Sequence, residues 1–328
     1  MLIVQLDHVR KAYDTKVAVE DLSFVVEPGT MFGLLGPNGS GKTSTIRMMI
    51  GITVPDSGSV SLFGKPFERS MLSRVGYLPE ERGLYKKMNV LDQLVFLGQL
   101  HGLSASEARK RSRLWCEKLD ITEAIPKKTE DLSKGMQQKI QFIASLLHDP
   151  DLIIMDEPFS GLDPVNAVLL MDTLLELRRQ GKAVLFSTHR MDQVEKLCDS
   201  IVLIHRGRLV LSGSMRDVKS SYPRNRIHIS YQGSDAFLEH PSVETVKKFA
   251  GSAEVKLRPS PNLADNTQSL LAEAMRGARI TRFEVTEPTL EEIFIDKVQE
   301  TLPSRANPTD PNLAATRADQ SRETEVDA

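Results

Sequence analysis

The sequence predicts an α/β chain built on a parallel sheet with helices on both faces. Gly36-Pro37-Asn38-Gly39-Ser40-Gly41-Lys42-Thr43 joins an apolar run, Met31 to Leu35, to a helix-like segment, Ser44 to Ile50. Two more apolar runs, Leu152 to Met155 and Ala183 to Phe186, end in polar residues and alternate with helical patterns. A length of 328 residues, 40% of them hydrophobic, leaves room for one large α/β domain and a smaller one.

The glycine-rich stretch has the G-x-x-x-x-G-K-[ST] pattern of a phosphate-binding loop. Its glycines let the backbone curl so that successive N–H groups point inward at phosphate oxygens. The helix start that follows adds partial positive charge. Gly36, Pro37, Asn38, Gly39, Ser40, Gly41, Lys42, Thr43 and Ser44 are therefore candidates for binding a nucleoside triphosphate. Lys42 can reach the β- and γ-phosphates, and the Thr43 hydroxyl can ligate Mg²⁺.

Charge and composition exclude several classes. The formal charge is −2, and the three Arg and five Asp/Glu after residue 302 account for it. Residues 1–302 are thus neutral, unlike the basic domain a nucleic-acid binder needs. Cys116 and Cys198 have no metal-ligand spacing and fit reduced thiols. No secretory signal is expected at the start. No run of 18 apolar residues occurs, so any membrane-spanning part is expected in another polypeptide.

Along the chain, Leu2–Leu6, Ala12–Tyr13 and Leu22–Val26 read as short strands of an antiparallel sheet. Tyr13 can stack on an adenine base or be an ordinary strand aromatic. Val60–Gly64 and Val75–Pro79 are further strands, and Glu80 to Tyr85 is a polar loop. Residues 90–125 have helical periodicity, broken at Gly102-Leu103-Ser104 and restarted by a capping box, Ser104 and Glu107. Trp115 in this stretch reads as core packing. A helical subdomain over about residues 88–148 is expected.

Ser133 and Gly135 precede the start of a helix that runs to His148, which makes them a plain cap or a second phosphate cradle. Asp156 ends a buried strand, where a Mg²⁺-coordinating carboxylate belongs, and Glu157 beside it is placed to orient a water. Ser160-Gly161-Leu162-Asp163-Pro164 turns into helix 165–180. His189 follows the next strand, as a structural residue or a γ-phosphate contact. Helix Met191–Cys198 and strands 201–205 and 208–211 complete this part. Residues 226–300 read as strand, short helix (Val243–Phe249), strand, helix, strand, helix. The expected domains are 1–219, 220–302 (small, α+β) and a disordered tail over 303–328, where hydrophobic residues thin out.

The order and spacing of Tyr13, the P-loop, Tyr77-Leu78-Pro79-Glu80, Leu132-Ser133-Lys134-Gly135-Met136, Asp156-Glu157, Ser160-Gly161-Leu162-Asp163 and His189 resemble the ATP-binding subunits of ABC transporters over residues 1–215. With the Leu78-Pro79-Glu80-Glu81-Arg82-Gly83-Leu84-Tyr85 loop and the C-terminal domain, the chain is most similar to the sodium-efflux-type (Nat-type) exporter ATPases. The resemblance implies a P-loop NTPase core with an N-terminal antiparallel β subdomain and an inserted helical subdomain.

It further implies ATP hydrolysis with Mg²⁺, and head-to-tail pairing with a second copy or a homologous ATPase subunit. A membrane-spanning permease partner, a peripheral position on the cytoplasmic side of the cell membrane and no nucleic-acid partner are implied as well. In that frame Tyr13 is an adenine platform and Lys42 holds phosphates. Thr43, Asp156 and Glu80 serve Mg²⁺. Glu157 polarises the water and His189 holds the γ-phosphate. Ser133 and Gly135 touch the partner's ATP, and Asp163 lies across the dimer interface. Two departures stand out. Glu80 occupies a position that is usually Gln, and Lys134 and Met136 replace the usual Gly and Gln. The competing readings are a soluble ABC ATPase acting on nucleic acid or ribosomes, which lacks its expected basic patches here, and a regulatory ATP-binding module. The presence of Glu157 and His189 argues against the second.

Overall fold

The computed structural model describes residues 1–81 and 83–301, so the 303–328 tail lies outside the described residues. The chain begins with a long hairpin, β1 (Val4–Tyr13) and β2 (Lys16–Val26), where three short strands were expected. Register shifts interrupt its alternation, one of them between Leu6 and Val9, two buried residues at odd spacing. A bulge bends the pattern without ending the strand, which is why the sequence read as fragments. β3 (Met31–Leu35) leads through the glycine-rich loop into α1 (Lys42–Met49). β4 (Ser57–Leu62) and β5 (Lys65–Pro66) join the hairpin in an antiparallel sheet of order β2-β1-β4-β5.

β6 (Val75–Leu78) precedes the helical segment, α2 (Val90–Leu100) and α3 (Ala105–Lys118). Ser104 Oγ caps α3 by accepting from Glu107 N at 3.2 Å, whereas the Glu107 carboxylate accepts from Arg111 at 2.7 Å. Trp115 is half-buried against the main core, as expected. Then follow α4 (Lys134–Leu146), β7 (Leu152–Asp156), α5 (Pro164–Arg179), β8 (Ala183–Thr188), α6 (Met191–Leu197), β9 (Ser200–His205) and β10 (Arg208–Ser214).

The central sheet has the order β10-β9-β3-β8-β7-β6, parallel except at the β10 edge. Three of its four inner strands, β3, β8 and β7, are buried throughout, and their side chains alternate between two cores. Met31, Leu35, Ile153, Met155, Val184 and Phe186 face the helical layer. Phe32, Leu34, Leu152, Ile154, Ala183 and Leu185 face α1 and the antiparallel sheet. Period-two burial on both faces is what a parallel strand between two layers requires. The C-terminal ends of five strands therefore share one edge, where open α/β sheets bind ligands.

Past α7 (Met215–Ser220), a third sheet of order β12-β13-β11-β14 forms from β11 (Arg226–Gly233), β12 (Val243–Phe249), β13 (Ser252–Leu257) and β14 (Ala278–Thr286). α8 (Leu263–Gly277) covers one face of it. Val243–Phe249, expected as a short helix, is an edge strand. Val243 and Val246 both pack on the small core, and a register shift between Val243 and Thr245 puts these residues, three apart, on one face. A bulge thus mimics helical spacing. α9 (Leu290–Thr301) returns to the helical layer, where Leu290 and Ile293 join the main core and the Leu290 N–H meets Glu195 of α6. No helix among the described residues is long and apolar enough to cross a membrane.

One packing detail gives a pH dependence. His148, just past α4, donates from Nε2 to the Val75 carbonyl at 3.0 Å and stacks on His101 with ring centroids 3.9 Å apart. Burial pushes its pKa down to about 4, helped by His101, while the Val75 bond and Asp149 oppose the shift and Arg111 adds to it. The neutral ring stabilises the fold fully above the unfolded value, and that contribution is lost as pH falls towards 4. Between about pH 7 and about pH 5 the melting temperature is expected to drop, and to drop less in His148→Gln, in a paired thermal scan.

Candidate nucleotide site

The loop after β3 takes its shape from two glycines, Gly36 and Gly41, with no room for a side chain. Gly41 sits at φ +113°, and a Cβ there would lie 2.4 Å from the Ala18 carbonyl of β2. Gly36 likewise leaves 2.2 Å to the Ile204 carbonyl. The loop is thus pressed between the hairpin and β9, and the Gly207 N–H donates to the Ser40 carbonyl at 2.9 Å. Lys42 is 6% exposed, and its Nζ donates back to the Gly36 carbonyl at 2.8 Å and the Pro37 carbonyl at 3.3 Å. Burial lowers its pKa, opposed by the charges of Glu157, Asp156 and Glu80. The ammonium is parked on its own loop, facing three carboxylates.

Asp156, at the end of β7, is 1% exposed. Its Oδ2 accepts from Thr43 Oγ1 at 2.8 Å, and its Oδ1 accepts from Ser187 Oγ of β8. Glu157 follows at φ +50°, a left-handed conformation uncommon for a non-glycine residue and frequent at functional sites. That turn carries its carboxylate over to the end of β8. Oε1 accepts from the His189 N–H at 3.1 Å and pairs with His189 Nδ1 at 2.8 Å, while Oε2 accepts from Thr188 Oγ1 at 3.1 Å. A carboxylate has about four lone-pair positions, so Oε1 is filled and Oε2 keeps one open. The His189 side chain is 53% exposed, against 11% for that of Glu157.

Gly41, Lys42, Thr43, Asp156 and Glu157 line an open cleft of about 450 Å³ with Tyr13, Lys16, Asn38, Gly39, Ser44 and Glu80. Tyr13 is 39% exposed at the end of β1, with Lys11 Nζ 5.7 Å from its ring centroid. Tyr77, near the cleft, has its hydroxyl pKa pushed up to about 12 by burial and then by Asp156. The donor set suits Mg²⁺, a hard cation that selects oxygen ligands. The 2.8 Å between Thr43 Oγ1 and Asp156 Oδ2 matches the about 2.9 Å edge of an octahedron with bonds of about 2.05 Å. No cluster of three His, Cys, Asp or Glu able to hold a metal occurs among the described residues. Such a Mg²⁺ site would therefore be completed by phosphate oxygens and water.

Gly36, Pro37, Ser40 and His189 adjoin the cleft without lining it, and three further candidates lie outside it. Ser133 is exposed and caps α4, accepting from Met136 N at 3.2 Å. Gly135, in the first turn of α4, has 3.7 Å from a built Cβ to Leu162, so packing within the chain does not demand glycine there. Asp163 is exposed and caps α5, accepting from Val165 N at 3.1 Å and Asn166 N at 3.0 Å. Sequence reasoning gave no role to Lys16, Ser187 or Thr188. For the last two a signal existed, since two hydroxyls end an apolar strand directly before His189.

A phosphate-binding loop at the carboxyl edge of a parallel sheet, facing adjacent carboxylates, defines a P-loop nucleoside-triphosphate site. Residues 19–160 match the family model described as ABC transporter, and residues 213–298 match the C-terminal domain of ATP-binding proteins like DrrA1-3. An uncharacterized ABC transporter ATP-binding protein of Bacillus subtilis, YhaQ, is 41% identical over 90% of this chain and 98% of its own length. The linearmycin resistance ATP-binding protein LnrL of Bacillus subtilis is 33% identical over 92% of this chain and 99% of its own. The Nod factor export ATP-binding protein I of Paraburkholderia xenovorans is 38% identical over 64% and 70% respectively. A solved ATP-binding subunit of an ABC transporter superposes with a TM-score of 0.62 at 31% identity, over 67% of this chain and 92% of that one. The chain belongs to the ATP-binding subunits of ABC transporters, a family of ATPases whose hydrolysis is coupled to transport.

Proposed function

We propose that this chain binds ATP with Mg²⁺ in the cleft, hydrolyses it when a second copy closes over it, and so drives a separate membrane-spanning permease in export. One observation carries this: the P-loop lysine, the Thr43–Asp156 pair and Glu157 held against His189 all meet in one cleft. Two relatives, a Nod factor export protein and a linearmycin resistance protein, support the direction of transport. The cytoplasmic face of the membrane is where such a pair of subunits would work.

In this scheme the Tyr13 ring stacks on adenine, and the loop amides and Lys42 take the phosphates. Lys42 must leave the Gly36 and Pro37 carbonyls to do so. Mg²⁺ held by Thr43 and Asp156, with Glu80 near it, would neutralise charge on the phosphates. A water seated at the open lone pair of Glu157 Oε2 attacks the γ-phosphorus and gives its proton to that carboxylate. The bond from the γ-phosphorus to the β–γ bridging oxygen breaks, and ADP keeps the electron pair. His189 holds the γ-phosphate oxygens.

The second copy supplies what the cleft lacks. Ser133 and Gly135 of that copy would bind the γ-phosphate, and Asp163 would lie at the seam. Val165 and Val168, 78% and 55% exposed beside Asp163, support an interface there. The permease would dock near 81–92, a stretch whose Arg82 lies outside the described residues. There Tyr85, 55% exposed, makes an edge-on pair with Phe96 at 6.0 Å.

Removing the base while keeping the shape isolates the chemistry. Glu157→Gln should lower ATP turnover by about 100-fold or more while leaving ATP affinity intact. Phosphate release and a nucleotide titration measure the two, and unchanged turnover would refute the role of Glu157. For the permease, a photo-crosslinker at Tyr85 should capture the membrane subunit encoded with this chain. Capture only from positions on the C-terminal sheet would refute the docking surface.

A further inference from the structure

Glu80 enters the cleft from just beyond β6 and is exposed, so packing of its own side chain does not hold it. Its main chain is held from another element. Gln141 of α4, 5% exposed, donates from Nε2 to the Pro79 carbonyl at 3.1 Å and to the Glu81 carbonyl at 3.2 Å. These carbonyls flank Glu80 on both sides. An amide nitrogen carries two protons, so one side chain can make both bonds at once. The reverse orientation would set Oε1 against two carbonyl oxygens, which fixes the assignment.

Gln141 is one of several buried polar residues of α4, with Gln138 and Ser145 at i−3 and i+4, and its two hydrogen bonds both go to the Glu80 loop. Ile140, Phe142 and Ile143 beside it are buried, and Gln141 Oε1 is itself buried with no partner among the described residues. An apolar residue would not leave that oxygen unpaired. A second buried glutamine holds the far end of the same loop, where Gln93 Oε1 of α2 accepts from Tyr85 N at 2.7 Å. The helix bearing Gln141 starts at the cap Ser133 and carries Gly135 in its first turn.

We infer that Gln141 is a positioning residue for Glu80. Its amide clamps the main chain on either side of that carboxylate and ties its place in the cleft to the orientation of α4. A tilt of α4 therefore moves Glu80, and a nucleotide that draws Glu80 inward pulls on the helix carrying Ser133. This role presupposes that Glu80 acts at the nucleotide, as proposed above.

A double-mutant cycle on the full-length chain tests it, with kcat, KM for ATP and melting temperature read for each variant. Gln141→Met keeps the length and removes the donor. It should lower kcat about tenfold with KM within about twofold. The same change made in Glu80→Ala should lower kcat no further. An equal loss in both backgrounds, or no loss in the otherwise unchanged chain, overturns the inference. If Gln141→Met does not fold, Gln141→Leu carries the same cycle. A Glu80→Ala chain with unaltered kcat would instead refute the role of Glu80, an outcome distinguishable from the first two.

Discussion

Asp156 lies between two hydroxyls, Thr43 on one side and Ser187 on the other, and this run of hydrogen bonds links the ends of three adjacent structural units. One is the helix start after the P-loop, one is β7 and one is β8. At 1% exposure an ionised carboxylate needs such partners, since burial without them would be costly. The strand order makes the run possible, because β8 lies between β3 and β7, and all three point the same way. The same geometry lets Glu157, one residue further on, turn through positive φ towards Thr188 and His189. A change in the relative height of these strands would separate the hydroxyl pair from the carboxylate that shares it.

Much of this was legible in the sequence where local pattern and tertiary environment agree. The apolar runs 31–35, 152–155 and 183–186 are uniformly hydrophobic because layers cover both faces of the sheet. Ser104 and Ser133 cap their helices through side-chain oxygens, as their positions suggested. Bulges hid the rest. In β1 and β12 they place residues three apart on one face, so strands read as fragments in one case and as a helix in the other. Within the site, Ser187 and Thr188 escaped notice because their partners, Asp156 and Glu157, are 31 residues away. The two hydroxyls ending an apolar strand before His189 marked the position, but nothing local named the carboxylates they would meet.

The C-terminal sheet keeps a small core of its own, and α9 ties the C-terminal part to the main core. Leu290 and Ile293 of α9 enter the main core. Glu195 of α6 meets the Leu290 N–H and forms an ion pair with Lys219 at 3.1 Å. α6 starts two residues after His189, so the C-terminal part rests on the helix that follows the residue paired with Glu157. Such continuity of packed elements is the physical condition for coupling between regions, though coupling itself is measured and not read from contacts.

In the proposed scheme one chain holds only half of a working site, with Lys42 and Glu157 in one copy and Ser133 in the other. Light scattering on Glu157→Gln, with and without Mg-ATP, tests this most directly. The molar mass should double when ATP is added. It should stay at that of one chain when Ser133→Arg is also present, while ATP binding to the P-loop persists. A mass that ignores ATP, or doubling that survives Ser133→Arg, would contradict the shared site.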